Sequence, residues 1–215
     1  MKRFAILLLG VVVACGPMTE SQPIVGAARS LFGASADPGA VALDPRRDLS
    51  RDIIESSPTD FILLAIVSRD AAATAQFVGA NGSRQTWATL DGISLTFDNG
   101  LVVATRGLGD DLMGSDPSEV YHALRHGGGE ALRINDYLGS QDDIVRASYY
   151  CDIQAVGSET IEIFERSYAT QKFQEICVSP DQQFENLYWI DSSGTIWQSR
   201  QWLSPLVGYL EVQRL

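Results

Sequence analysis

The chain has 215 residues, of which 45% are hydrophobic and 20% charged, and its formal net charge is -11 at pH 7. This length suits one well-packed domain, and the hydrophobic content excludes a chain that is disordered throughout. A nucleic-acid-binding surface needs clustered lysine and arginine, which the sequence lacks, so we expect no nucleic-acid partner. The acidity also disfavours attachment to anionic lipid by charge alone.

The N-terminus has the features of a secretory signal peptide. Lys2 and Arg3 precede an apolar run that ends at Val13, and Ala14 is the small residue that processing requires. A membrane-spanning helix needs about 20 apolar residues, and this run is roughly half as long. We therefore predict a signal peptide over residues 1–14.

The end of this segment resembles the lipobox of bacterial lipoproteins. In Val12-Val13-Ala14-Cys15, the resemblance implies that Cys15 becomes the first residue of the mature protein and carries acyl chains. Several acyl chains anchor a protein stably, whereas one binds only marginally. Gly16, where a retention signal would have Asp, implies delivery to the outer membrane, with the protein facing the periplasm. The alternative is a core cysteine that happens to follow a signal peptide.

Two further cysteines remain if Cys15 carries lipid. Cys151 and Cys177 lie in strand-like segments of an exported chain, where disulfides form and persist. We predict a disulfide between them, which would stabilise the fold by roughly 3 to 4 kcal/mol in the chain-entropy model. A zinc-binding pair is the alternative, but neither cysteine has the short spacing typical of structural zinc.

The chain divides into an anchor segment and one domain. Residues 15–50 combine the predicted acylated cysteine with a polar tether rich in Gly, Ala, Ser, Pro and Asp, in which the apolar patch from Ile24 to Phe32 predicts a short helix. From residue 51 to 215 we predict a single β-rich domain. Its short β-prone runs alternate with turn signals about every ten residues, which is typical of all-β proteins.

Turn residues predict three hairpins within this domain. Asn81-Gly82 fits a two-residue type I′ turn, and Asp98-Asn99-Gly100 and Ser192-Ser193-Gly194 fit tight turns, because these residues tolerate positive φ. The run FILLAIV, from Phe61 to Val67, is apolar on both faces and predicts a central, covered strand.

One helix is expected between two β meanders. SEVYHALRHG has apolar residues at helical spacing, with Ser115 or Asp116 as a cap and Pro117 at the first helical position. The glycines from Gly127 to Gly129 predict its end.

Two stretches of the domain resemble a known family. Asn99 to Leu112 is similar to a Gly-x-x-Val-x-Thr-x-Gly-Leu pattern, and Ile196 to Pro205 is similar to a Trp-x-Ser-x-Gln-x-x-x-Pro pattern. Together with the lipobox, the tether and the hairpin Gln85-Thr86-Trp87, they resemble the group 4 capsule polysaccharide lipoprotein family of the GfcB/YjbF type. The resemblance covers the chain from Cys15 to its end.

The resemblance implies both a fold and a role. The fold is mainly β, a large antiparallel meander sheet curled into a partial barrel, with one or two short helices. The role is that of an outer-membrane lipoprotein that assists production or export of capsule or exopolysaccharide by binding the glycan or a secretion component. Its implied partners are the membrane, polysaccharide export or assembly proteins and the polysaccharide. The family has no established catalytic residues.

Candidate catalytic and metal-binding groups are few. There is no Gly-x-Ser-x-Gly motif, and the chain has two histidines, His122 and His126, at i, i+4 on the predicted helix. This spacing could bind a metal ion, but histidines also suit a solvated helix C-terminus, so we predict no metal and no cofactor.

Carboxylates offer the alternative of a periplasmic enzyme that modifies polysaccharide. Asp110, Asp111, Asp116 and Glu119 are close in sequence, and glycoside hydrolysis needs two carboxyl groups at a fixed separation. The same residues could instead cap the predicted helix. Because nucleophile and metal motifs are absent, we predict that the protein is not an enzyme.

Aromatic residues are the candidate glycan or partner contacts. They lie in predicted strands, where adjacent residues such as Tyr188 and Trp189 point to opposite faces, so one face could line a groove that stacks sugar rings. The candidates are Trp87, Tyr188, Trp189, Trp197 and Trp202. Core packing and a partner interface are the alternatives, as is a lipid-carrying cavity in a curled sheet.

Overall fold

The computed structural model describes residues 44–139 and 143–215. The predicted signal peptide, the lipid anchor at Cys15 and the tether helix up to Phe32 lie outside the described residues. Within the described ranges, no helix has both the length and the apolar character needed to cross a bilayer.

Twelve antiparallel strands form a single sheet in the order β5-β4-β3-β2-β1-β12-β11-β10-β9-β8-β7-β6. Strands that follow one another in the chain are neighbours except for β5 and β6, which are the two free edges of the sheet. In addition, the first strand, β1, pairs with the last, β12. These edges lie side by side, so the sheet curls into a partial barrel with one seam, as predicted. The strands are β1 (Phe61–Ile66), β2 (Ala71–Asn81), β3 (Arg84–Ala88), β4 (Ser94–Asp98), β5 (Leu101–Arg106), β6 (Leu112–Asp116), β7 (Gly128–Leu138), β8 (Ile144–Ile163), β9 (Arg166–Val178), β10 (Gln183–Ile190), β11 (Ile196–Ser204) and β12 (Gly208–Arg214).

Three short α-helices accompany the sheet in the described part of the chain: α1 (Pro45–Asp48), α2 (Arg51–Glu55) and α3 (Ser118–Arg125). Helix α3 is the one predicted between the meanders. The predicted cap at Ser115 or Asp116 is wrong by at least one residue, although the backbone N–H of Ser118 donates to Asp116 Oδ1 at 3.1 Å. Pro117, predicted as the first helical residue, is the N-cap residue, and the helix begins one residue later at Ser118.

The connections alternate between two ends of the sheet because all the strands are antiparallel. The distal end carries helix α3 and the turns β2–β3, β4–β5 and β10–β11. We call the opposite end of the sheet, where the described chain begins, the tether end. There Arg46 donates to Asp70, in the β1–β2 connection, at 3.0 Å. Leu49, which follows α1 and precedes the predicted domain start, is buried.

The predicted hairpins at the distal end are present. In the β4–β5 turn both Asn99 and Gly100 have positive φ, of 50° and 87°, as a tight hairpin of right-twisted strands requires. In the β2–β3 turn the two loop residues are Gly82 and Ser83, since Asn81 pairs with Arg84. The prediction of a type I′ turn at Asn81-Gly82 is wrong by one position, and Gly82 alone has positive φ.

The interior of the sheet is divided into two clusters. One is apolar and lies against β1 to β5 and β12, with Leu64, Leu95 and Leu210 at its centre. The other lies against β7 to β10 and is covered by Val120, Ala123 and Leu124 of α3.

The predicted disulfide between Cys151 and Cys177 is present in the second cluster, where it joins directly paired positions of β8 and β9. Glu175 lies near both sulfurs, and these three residues form the one group of three potential metal ligands found in the described ranges. Because the sulfurs are bonded to each other, they are not available as zinc thiolates.

The long β8–β9 hairpin covers part of the outer face. Its tip residues Ile161 and Ile163 pack with Trp189, and with the partly buried Leu187 and Trp197. A bulge between Ala155 and Gly157 interrupts the β8–β9 register. The outward apolar side chains of β10 are therefore buried by the chain's own hairpin.

Candidate functional site

A buried ion pair lies inside the second cluster. The guanidinium of Arg133 donates to Glu175 Oε1 at 2.9 Å and to Oε2 at 3.0 Å. The hydroxyl of Tyr188 and the amide of Asn186 also donate to Glu175, at 2.6 and 2.8 Å. All four side chains are buried. Every polar group of the set thus has a partner, as a buried charge requires.

Electrostatics fix the protonation states in this network. Burial opposes the charge of Arg133, but the adjacent Glu175 carboxylate outweighs it and holds the pKa of Arg133 above its usual range. Burial, together with the same carboxylate, raises the pKa of Tyr188 well above its ordinary value. Tyr188, predicted as a glycan contact, therefore lies in a closed structural network with no exposed surface.

The edge of β5 is hydrogen-bonded from inside the sheet by a residue of β11. Gln201 Oε1 accepts from the backbone N–H of Val102 at 2.9 Å, and its Nε2 donates to the carbonyl of Gly100 at 3.0 Å and to Ser199 Oγ at 2.9 Å. These bonds satisfy backbone groups of the free edge of β5. Gln201 and Ser199 belong to one of the family-like stretches, and Gly100 and Val102 belong to the other.

The same edge is held to β6 by a second set of bonds. The backbone N–H of Leu112 donates to Thr105 Oγ1 at 3.0 Å, and Thr105 Oγ1 donates to Asp111 at 2.8 Å. Arg106 donates to the carbonyls of Leu112 and Met113 at 3.1 and 3.3 Å. The sequence identified the stretch from Asn99 to Leu112 as family-like but did not indicate its structural role, which is to hold β5 and β6 together.

The four candidate carboxylates accept hydrogen bonds from the backbone. Asp111 accepts from the N–H groups of residues 107 and 108, and Asp110 from that of residue 206. Glu119 accepts from the N–H of residue 132 at 2.8 Å, and so joins α3 to β7. Hydrogen bonds from Ser118 lower the pKa of Asp116.

A cavity of about 300 Å³ opens at the distal end, bounded by the turns β2–β3, β4–β5 and β10–β11 and by α3. Its apolar wall consists of Ile62, Trp87, Phe97, Ile196, Trp197 and Val212. Its polar lining includes Gln85, Asn99, Thr195, Gln198, Ser199 and Arg214. This volume, and the mixture of aromatic and hydrogen-bonding groups, are typical of small-ligand sites.

Two of the five predicted aromatic contacts line this cavity. Trp87 is held against Phe77 in an edge-to-face contact, with ring centroids 5.4 Å apart. Trp197 stacks on Tyr168 with centroids 3.9 Å apart, and its Nε1 donates to Asp191 at 2.9 Å. Both indoles are therefore held in fixed positions at the cavity wall.

Asp191 organises the β10–β11 turn beside the cavity. Its Oδ1 accepts from the backbone N–H groups of Ser193 and Thr195, each at 2.9 Å. Burial acts to raise the pKa of this carboxyl, but hydrogen bonds from Ser193, Trp197 and Thr195 prevail and lower it to about 2. The turn is thus fixed by an ionised aspartate over the whole physiological pH range.

Several polar side chains of the lining have no protein partner in the described ranges, and three of them are large enough to reach into the cavity from strands or from α3. Among the side-chain hydrogen bonds and ion pairs of the described residues, none involves the amide of Gln85, the hydroxyl of Tyr121 or the guanidinium of Arg214. Unpaired donors beside aromatic walls leave hydrogen-bonding capacity for a ligand.

The other predicted aromatic contacts lie elsewhere. Trp189 is on the outer face, where its Nε1 donates to Glu159 at 3.0 Å and Lys172 lies over its ring. Trp202 packs edge-to-face on Tyr209, with centroids 5.1 Å apart, and its Nε1 is buried without a partner in the described parts of the chain.

His122 of α3 and His126, the C-cap residue of this helix, are stacked with ring centroids 4.0 Å apart. His126 Nδ1 lies 2.7 Å from the carbonyl oxygen of His122. No third histidine, cysteine or carboxylate in the described ranges completes a metal-ligand group with them.

Residues 28–215 match the sequence model of a family described as group 4 capsule polysaccharide lipoprotein gfcB, YjbF. The chain belongs to this family. The match includes every residue that the structure describes and both family-like stretches, so the resemblance expected from them is confirmed. This family is one of lipoproteins, which places the protein at a membrane, and its description links it to capsule polysaccharide.

The fold of this family member is also similar to a solved structure. The crystal structure of the hypothetical lipoprotein YmcC from Escherichia coli (K12) superposes with a TM-score of 0.68 at 20% sequence identity. The similarity covers 91% of this chain and 96% of the YmcC chain. No protein with a curated description matches the sequence significantly.

Proposed function

We propose that this protein is an outer-membrane lipoprotein, anchored through acylated Cys15 and facing the periplasm, that assists capsule or exopolysaccharide production or export. It binds a saccharide segment in the distal cavity and does not change it chemically. Polysaccharide export or assembly proteins are its expected partners. The membership in a capsule polysaccharide lipoprotein family supports the pathway, and the cavity supports the mode of action.

The cavity lining is the observation that carries this proposal. Indole and phenyl rings present flat apolar surface, on which the C–H face of a sugar ring packs, while hydroxyl and amide groups bind its hydroxyls. Trp197 supplies the first kind of surface, backed by the buried rings of Trp87 and Phe97. Gln85 and Tyr121 supply the second. A cavity of about 300 Å³ holds only a short segment of a polymer.

The start of the described chain lies away from the cavity. The described chain begins at the tether end, next to Asp70, whereas the cavity opens at the distal end. No residue from 44 to 61 lines the cavity, so this segment leaves the opening accessible to a polymer.

The carboxylates favour binding over hydrolysis. Retaining and inverting glycosidases need a free acid and a second carboxylate on opposite sides of the glycosidic bond. Asp110, Asp111, Asp116 and Glu119 instead accept backbone hydrogen bonds that fix the seam loop and helix α3. No acidic side chain is among the residues that line the distal cavity.

Titration calorimetry with capsular oligosaccharides tests the proposal. The full acylated chain in detergent micelles is expected to bind them, and mass spectrometry should recover the sugar unchanged. Gln85→Ala and Tyr121→Phe should each weaken binding several-fold, because each removes one free hydrogen-bonding group. The control Gln154→Ala, at an exposed position of β8, should bind normally. Recovery of a shortened oligosaccharide would establish the enzymatic alternative. An affinity that is the same in both cavity variants as in the unaltered protein would rule out this cavity as the binding site.

The anchor is tested separately by metabolic labelling with palmitate. Wild-type protein should incorporate the label and fractionate with the outer membrane. Equal labelling of a Cys15→Ala variant would contradict the lipid anchor.

A further inference from the structure

The charge of the distal cavity is opposite to that of the whole protein. The sequence carries 27 acidic residues against 16 basic ones, yet no aspartate or glutamate lines the cavity. Its one charged lining residue is Arg214, near the end of β12. An anionic ligand repelled by the rest of the surface would therefore meet a cation here.

Arg214 is also unlike the other arginines of the described ranges. Six of them, Arg46, Arg47, Arg84, Arg133, Arg146 and Arg166, form ion pairs with carboxylates. Arg51, Arg69, Arg106 and Arg125 donate to backbone carbonyls, and Arg200 lies 3.8 Å from the ring centroid of Tyr209. In these same ranges, only the Arg214 guanidinium has no hydrogen bond, ion pair or ring contact.

The register of the sheet directs Arg214 to the cavity. Arg214 pairs with Ile62 of β1, and two residues earlier Val212 pairs with the interior residue Leu64. Alternate residues of a strand share a face, so Arg214, Val212 and Ile62 lie on the inner face. All three line the cavity.

We infer that the cavity is selective for acidic saccharides, those whose sugar units carry a carboxylate. A guanidinium has a planar fork of N–H donors that matches a carboxylate in bidentate geometry, and such charge-assisted bonds are stronger than neutral ones. Arg214 binds the carboxylate while the sugar ring packs on Trp197, the partly exposed ring of the aromatic wall. This inference names the substrate class of the proposed saccharide site and therefore rests on the proposed function.

Paired oligosaccharides test this selectivity. Glucuronate-, galacturonate- and sialate-containing oligosaccharides are each compared with the same compound after its carboxylates have been reduced to alcohols. Binding to the full acylated chain in detergent micelles is measured by calorimetry. At least one acidic member should bind roughly tenfold more tightly than its reduced form. Added salt should reduce that difference, because Arg214 is exposed.

Two variants test whether the difference in affinity between acidic and reduced oligosaccharides depends on Arg214. Arg214→Gln should bind acidic and reduced forms equally. The matched control Arg200→Gln removes the same charge from the outer face of β11 and should keep the selectivity. A preference for acid that survives Arg214→Gln would overturn the assignment.

The outcomes also separate this inference from the function on which it rests. Equal binding of acidic and reduced forms by the unaltered protein would overturn the selectivity and leave saccharide binding intact. Absence of binding to every member, acidic or reduced, would overturn both.

Discussion

Polar side chains inside the sheet fall into two groups that differ in how fully they are paired. Below the cavity, Arg133, Glu175 and Gln201 have protein partners for their hydrogen-bonding groups and are buried or nearly so. At the distal end, Gln85 and Arg214 have none. A paired buried group maintains the fold, because removal of its partner is costly, whereas an unpaired group at an opening is free to bind a ligand. The contrast predicts large stability effects for the first group and binding effects for the second.

The largest expected effect comes from the buried ion pair. Glu175→Gln leaves the Arg133 guanidinium buried without its counter-charge, which should lower the free energy of unfolding by about 3 to 5 kcal/mol. Urea denaturation of the variant measures the loss. Glu162→Gln, at an exposed position of β8, should change stability by less than about 0.5 kcal/mol. Similar small losses for both variants would show that the network is not what holds the interior.

Gln201→Leu breaks the bonds that seal the edge of β5. Leucine leaves the N–H of Val102 and the carbonyl of Gly100 unpaired, so the free energy of unfolding should fall by about 1 to 3 kcal/mol. Hydrogen exchange should show the amide of Val102 becoming less protected while β8 and β9 are unchanged. Unchanged exchange at Val102 would contradict the role of Gln201 at the seam.

Asp191, in the turn beside the cavity, makes the free energy of unfolding depend on pH. Its folded pKa of about 2 lies below the ordinary aspartate value of 3.8, so its contribution is fully present above pH 4 and is lost as the pH falls through about 2. Since the carboxyl is partly exposed, we expect about 1 to 2 kcal/mol from this linkage. Asp191→Asn should lower stability by that amount at pH 7 and by much less at pH 2. An equal loss at both pH values would mean that the effect is not electrostatic.

The smallest stability effect is expected in the cavity. Gln85→Ala removes an amide that has no protein partner, so the free energy of unfolding should change by less than about 0.5 kcal/mol. Saccharide affinity should nonetheless fall. A large loss of stability would mean that Gln85 has a structural role, which would contradict the distinction between paired interior side chains and unpaired cavity side chains.

Much of this architecture could be predicted from the sequence. Turn residues such as Asn99-Gly100 and the double-sided apolar run at Phe61 are local signals, and they correctly indicated a meander of hairpins with a central β1. The disulfide could be predicted because two cysteines remain once Cys15 is assigned to the predicted lipid anchor. Each of these inferences depends on neighbours in the chain or on a simple count.

The site was harder to predict because its residues come from distant strands. Nothing local distinguishes Trp87 and Trp197, which line the cavity, from Trp189, which the β8–β9 hairpin covers. Tyr188 was misplaced because Glu175 and Arg133, its partners, lie 13 and 55 residues away. Arg214 was missed altogether, since its significance depends on the absence of a partner, and only the pairing of β1 with β12 places it at the cavity.

Photo-crosslinking locates the saccharide most directly. A capsular oligosaccharide carrying a diazirine is irradiated with the full acylated chain in detergent micelles, and the crosslinked peptides are mapped by mass spectrometry. Our account predicts crosslinks at residues 82–87, 97–100 and 194–199 and at Arg214, all lost in competition with unlabelled sugar. Competable crosslinks confined to the outer face of β8 and β9 or to the tether end would contradict it.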